Sequence, residues 1–116
     1  MKSVPLEELS LSSFVPLVGS TFRVSLDEAT RVDLALAEAV SIRSASSGRR
    51  AGPGLAQETF SLVFEGPLAP QLGQGIFAFE HDGIGRFSLF IVPIARNEKA
   101  MQYQAVFNRL VAPPSN

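Results

Sequence analysis

QETFSLVFEG (57–66) and GIFAFEHDGIGRFSLF (75–90), joined by a loop rich in glycine and proline, decide how the chain folds. Phe60, Leu62 and Phe64 alternate with Ser61, Val63 and Glu65. Phe77 and Phe79 keep the same two-residue period, and Phe87 and Leu89 repeat it. Aromatic and branched residues at period two are the pattern of half-buried strands, whose successive side chains point to opposite faces. Three such runs with short connections predict an antiparallel sheet in the middle of the chain.

Working outward, the same period extends to both ends. Phe22, Val24 and Leu26 are in phase over a strand at 21–26, and Asp27 to Thr30 reads as a hairpin connection. The next strand spans 31–43, with Val32, Leu34, Leu36, Val40 and Ile42 on one phase. Glu38 shares that phase, where a lone carboxylate is costly unless it is paired or turned outward. Arg109, Arg23 or Arg86 would pair it; a bulge near Ala37 or Ala39 would expose it. Further strands are expected at 58–65, 75–81, 86–92 and 102–110. Asp82-Gly83 signals a tight primed turn with positive φ, and Pro93 is expected to stop the fifth strand because it cannot donate to a ladder. Tyr103, Ala105 and Phe107 share one phase of the sixth. Residues 6–18 are the only helical material, broken by Pro16 and placed to lay Leu9, Leu11 and Phe14 over an open end or face of the sheet. The serine- and glycine-rich stretch 44–56 reads as a mobile hairpin loop, and 113–116 as a frayed tail.

These elements make an all-β domain covering residues 1–116. Six antiparallel strands form a meander that curls into a small barrel or coiled sheet, with a short N-terminal helix packed on it. Closure removes free edges, although two stacked sheets satisfy the same alternation. A parallel arrangement is disfavoured, since no helix of crossover length lies between the strands.

Composition narrows the function. With 116 residues the chain has one domain's worth of core. It has no cysteine and one histidine, which excludes disulfides, thiol nucleophiles and the usual zinc shells. Ten basic and eleven acidic residues give a net charge of −1, without the basic field of a nucleic-acid binder. No apolar run reaches the roughly 20 residues that span a bilayer, and the first ten residues lack a signal-peptide core. The chain is therefore expected in the cytoplasm, with incorporation into a particle or export without a signal peptide left open. His81 borders a turn and reads as a rim residue with a local hydrogen bond. No glycine-rich phosphate loop, nucleophile elbow or calcium loop is present. We expect no catalytic residue, no metal and no cofactor.

The remaining anomaly is a second apolar phase. Phe90 and Val92 interrupt the polar face of the fifth strand, and Val63 does so on the third. A small barrel has one interior, so the N-terminal helix or another chain must cover these three residues. Val63, Phe90 and Val92 are thus the candidate interface. Two functions follow: a non-catalytic structural or protein-interaction subunit, self-associating or partnered, or a carrier of a small apolar ligand held against Phe64, Phe79, Phe87 and Leu89.

FSLVFEGP (60–67), LGQGIFAFEHDGIGRFSLFIVPI (72–94) and YQAVFN (103–108) together resemble a bacterial family of short β-rich proteins, one of the domains of unknown function. Its recurring features are an FxLxFxG strand, a QGxYxxEH-like hairpin, a GxFxLFxVP strand and a terminal YxAVFN strand. FVPLVGSTFRV (14–24) is similar to the family's opening. Here Phe77 stands in place of the tyrosine, removing a hydroxyl and any acid or base role at that position. Family genes lie near those for phage-tail-collar-like proteins, so the resemblance implies an accessory or structural part in a tail-like or fibre-like assembly. It implies no activity and no functional residues.

Overall fold

A computed structural model describes residues 2–5, 8–42 and 56–111, with 56–58 and 108–111 described by backbone only. The expected loop at 44–56, the start of the helical segment and the tail at 113–116 lie wholly or mainly outside the described residues. Six strands form one closed antiparallel barrel: β1 (Thr21–Ser25), β2 (Arg31–Ser41), β3 (Ala56–Gly66), β4 (Gly75–His81), β5 (Gly85–Arg96) and β6 (Met101–Val111). The inward phase is the predicted one except beyond β1, where Leu26 is exposed, and past the β2 bulge, where the shifted register exposes Val40 and Ile42 and turns Ala39 to the core. Phe22 and Val24, Leu34 and Leu36, Phe60 to Phe64, Phe79, Phe87 to Ile91 and Tyr103 to Phe107 fill the interior from alternate positions.

The strand order around the barrel is β1-β2-β3-β6-β5-β4, which differs from a single meander. Two three-stranded meanders close on one another, β3 beside β6 and β1 beside β4. The cause is the link 67–74. It makes no hairpin but crosses the barrel mouth, where Leu72 is buried and its N–H donates to the Tyr103 hydroxyl at 2.9 Å. That hydrogen bond satisfies a buried phenol that would otherwise cost stability.

The opposite mouth is stoppered by α1 (Leu11–Phe14) and a following 3₁₀ turn (Val15–Leu17). Ser10 caps α1, its N–H donating to Ser13 Oγ at 3.1 Å, and Pro16 sits in the first positions of the 3₁₀ turn, where a missing N–H is harmless. Phe14 is fully buried among Phe22, Phe60, Phe87 and Phe107, with ring centroids 5.7–6.5 Å away. The helix therefore covers an open end, as one of the two sequence-based placements had it.

Three local expectations are corrected or decided. β5 runs through Pro93 to Arg96 with a register shift between Pro93 and Ala95. Odd-numbered residues of β5 point their backbone groups toward β4, but β4 begins at Gly75, opposite Ile91, so the missing N–H of Pro93 faces no strand. The β4–β5 turn is a three-residue loop, with Ile84 N–H donating to His81 O at 3.1 Å. Positive φ falls at Gly85 (+116°) rather than at Asp82-Gly83, as in hairpins that end in a glycine bulge. In β2, Leu36 opposes Phe64 and Glu38 opposes Val63, leaving Ala37 as the extra residue of a bulge that turns Glu38 to solvent. Among the described residues no ion pair includes Glu38; Arg23 and Arg86 go elsewhere, and the Arg109 side chain lies outside the described set.

Candidate functional site

The structure gathers Val63, Phe90 and Val92 on one outer face. Val63 on β3 and Val92 on β5 both oppose Gln104 on the intervening β6, forming one register row. Phe90 lies two residues before Val92 on the same face and opposes Ile76 on β4. Exposure separates them: Phe90 is 47 % exposed, Val92 half-buried and Val63 only 8 % exposed. Val63 is shielded because it is short and sits between Glu38 and Gln104, its neighbours on adjoining strands.

The N-terminal helix does not lie over Phe90. Its fully buried residue, Phe14, enters the barrel mouth, Leu11 packs beside the core, and α1 approaches β2. The second apolar phase thus stays on the surface, enlarged by two residues that sequence reading passed over. Ile76 is 72 % exposed and Val106 57 %. On β6, Val106 lies two residues beyond Gln104 and opposes Ser61 on β3, while the pairing of β5 with β6 runs from Val92–Gln104 to Arg96–Met101. Two outward pairs, Ile76–Phe90 and Val106–Ser61, thus accompany the row Val92, Gln104, Val63, which Glu38 extends on β2. Ile76 was legible only through its register with Phe90, which the β4–β5 hairpin fixes.

The same outward phase of the β4–β5 hairpin carries charge nearer its turn, two pairs on from Ile76–Phe90. Glu80, on the outward phase of β4 yet 8 % exposed, meets Arg86 Nε at 3.0 Å, Arg23 Nε at 3.5 Å and Arg31 Nη1 at 4.0 Å. Burial pushes its carboxyl up, but the Arg86 hydrogen bond and charge, with Arg31 and Arg23, overrule this and hold it below the usual carboxylate range. Arg23 also reaches Asp82 at 3.0 Å. A carboxylate with three guanidiniums is a pinned structural cluster joining β1, β2, β4 and β5.

His81 holds the predicted rim position. Its Nδ1 accepts from Gly83 N–H at 2.9 Å, and Nε2 meets Ser20 Oγ at 2.9 Å. Ser20 Oγ donates to Leu17 O. The hydroxyl proton is therefore used, Nε2 must donate, and the ring is the neutral Nε2–H tautomer. Burial pushes its pKa below the ordinary value; Asp82 opposes this and Arg23 adds to it. Both ring nitrogens are spent on the fold. Among the described residues no group of three or more histidines and carboxylates is placed to hold a metal ion, and no helix is long and apolar enough to cross a membrane.

Residues 9–107 match the family model described as a domain of unknown function, DUF6916. The chain belongs to the DUF6916 family. The match runs from the buried Leu9 to Phe107, so the stopper, the barrel and the apolar outer face are all parts of the DUF6916 domain. Comparison with curated proteins and with solved structures gives no match.

Proposed function

We propose that this DUF6916 domain is a non-catalytic structural or protein-interaction subunit that binds through the outer face built on Ile76, Phe90 and Val106. The observation carrying the reading is the direct cross-strand pair Ile76–Phe90, both largely solvent-facing, on a barrel whose interior is already filled. Withdrawing the exposed parts of these two side chains from water is worth roughly 2–4 kcal/mol, enough to anchor a partner. Interface cores are depleted of charge, and neither Ile76–Phe90 nor the next outward pair of the hairpin, Ala78–Ser88, carries any. An apolar-ligand carrier is the weaker reading, because Phe14, Phe22, Phe79 and Phe87 pack ring to ring where a ligand would sit. Resemblance to a bacterial family encoded near phage-tail-collar-like proteins favours an accessory place in a tail-like or fibre-like particle, assembled from the cytoplasm.

Phe90→Glu tests the reading. Its side chain lies outside the core, so far-UV circular dichroism and the melting temperature are expected to hold. Co-expressed products of neighbouring genes are expected to be retained by the wild type and lost by the variant. Equal retention by both proteins, or by neither, refutes this face as the binding surface.

A further inference from the structure

His81 is buried where the β4–β5 turn meets the stopper, and its two ring nitrogens hold different parts of the fold. We propose that this ring is an acid-released latch: a proton on Nδ1 breaks its bond to Gly83 and unfastens the β4–β5 turn from the stopper, loosening that mouth while the strands stay paired. The latch does not depend on the outer face being a binding surface. Three hydrogen bonds run in one direction. Gly83 N–H donates to Nδ1 at 2.9 Å, Nε2–H donates to Ser20 Oγ at 2.9 Å, and Ser20 Oγ donates to the carbonyl of Leu17, the last residue of the 3₁₀ turn. Only a neutral ring with its proton on Nε2 accepts at one end and donates at the other. A second proton sets Nδ1–H against Gly83 N–H, two donors with no acceptor between them, while the bond to Ser20 survives. The turn is therefore the end that lets go.

Packing carries the release into the stopper. A Cβ on Gly83 would stand 3.7 Å from Leu17 Cδ2, so the half-buried Leu17 lies against the turn at Gly83. When the turn moves, Leu17 loses that cover and Phe14 alone anchors the stopper in the core. The surroundings of the ring decide how it meets a proton. Burial opposes protonation most, Arg23 on β1 adds to it, and Asp82 on the turn works against both. The Phe22 ring on β1, with its centroid 4.4 Å from that of His81, also favours a charged imidazole, yet burial prevails. Asp82 is held by Arg23 at 3.0 Å, and Glu80 on β4 is taken up by Arg86 on β5, Arg23, and Arg31 on β2. The N-terminal segment comes near through the Lys2 carbonyl at Gly85, and the stopper, Leu11 to Leu17, contains no titratable side chain. A charged ring thus finds no unclaimed carboxylate among these groups, and the Gly83 contact yields.

Amide exchange by NMR between pH 7.5 and pH 5.5, expressed as opening constants, tests the latch. The amides to follow are Gly83, bonded to the ring, and Val18 and Ser20, bonded within the stopper to Val15 O and Leu17 O. A released ring titrates near its ordinary value of about 6.5, so these amides are expected to open roughly five- to tenfold more at pH 5.5 than at pH 7.5. Lys99 and Ala100, whose amides donate to Asn97 Oδ1 in the β5–β6 turn, are expected to stay level, and circular dichroism to be unchanged. In His81→Asn, whose side-chain oxygen accepts from an amide two residues on without titrating, the rise is expected to vanish. Level opening constants at Gly83 and Ser20 in the wild type overturn the latch. A rise that persists in His81→Asn does the same. So does a rise matched in size and opening constant by the amides of the β3–β6 seam, which would make the acid effect global unfolding. If His81→Asn fails to fold, the wild-type profile set against Lys99 and Ala100 decides, together with the imidazole nitrogen shifts. Shifts that place the neutral proton on Nδ1 overturn the arrangement.

Discussion

His81 and Gly85 flank the β4–β5 turn and show two ways in which one residue carries the fold. The His81 ring is neutral in the folded chain because Nδ1 already accepts from Gly83 and the site is buried. With its pKa lowered by folding, the unfolded chain takes up the proton first as pH falls through about 6.5. Stability present above that value is then lost as pH falls, until the folded ring also titrates. Urea midpoints are expected to drop from pH 7.5 to pH 5.5 in the wild type and to stay level in His81→Gln. A level wild-type profile refutes the neutral assignment. The depressed carboxyls of Glu80 and of Asp27, the latter held by the Ala29 and Thr30 amides, act the same way lower down, with stability lost as pH falls through their folded values. At Gly85, φ is +116° and a Cβ would run into the Lys2 carbonyl oxygen. That oxygen accepts from Arg86 N–H at 2.7 Å, and Val4 N–H donates to Arg86 O at 2.8 Å, adding a short parallel bridge to the edge of β5. Gly85→Ala is expected to cost about 1–3 kcal/mol by urea denaturation. Faster exchange of the Val4 amide would locate the damage; an unchanged exchange rate contradicts the close-approach account.

At the scale of elements, α1 is a four-residue helix that survives only because Phe14 is engaged. Phe14→Ala leaves a void among four phenylalanine rings and is expected to cost about 3–5 kcal/mol. A loss under 1 kcal/mol in chemical denaturation would show that the mouth collapses to fill it. Strand phases were legible in the sequence because a two-residue period needs no partner to be read: Phe60 to Phe64 and Phe87 to Ile91 followed from it, while at Glu38 it marked an anomaly and left an ion pair and a bulge both open, and the bulge moved Val40 and Ile42 off the inward phase. The β3–β6 and β1–β4 pairings were not legible, since each joins residues far apart in sequence and has no local signature. Pro93 misled for the same reason, because whether a missing N–H matters depends on how far β4 extends beside it. The candidate site was half legible. Phe90 declared itself by breaking the polar phase, whereas Ile76, Val106 and the Glu80 cluster depend on register across strands. Val63 shows the converse, an apolar residue on the outer phase that its neighbours already cover.

The molecule as a whole is two meanders that have no closed core separately. β1 to β3 and β4 to β6 meet along the β3–β6 and β1–β4 seams, so neither half can lose its strands without exposing the aromatic interior of the other. Unfolding is accordingly expected to be a single cooperative transition, and the chain supplies a clean probe of it. Tyr103 is the only tyrosine and there is no tryptophan; its hydroxyl is tied to Leu72 at the mouth opposite the Phe14 stopper. Tyrosine fluorescence thus reports one end of the barrel while circular dichroism reports all of the strands. In the wild type the two midpoints are expected to coincide. In Phe14→Ala, damage at the far mouth is expected to lower both midpoints equally, because the Phe22, Phe79 and Phe87 rings connect the two ends through the core. A tyrosine midpoint that stays in place while the dichroism midpoint falls would mean that the stoppered end unfolds on its own, and the barrel would then be two units sharing a sheet.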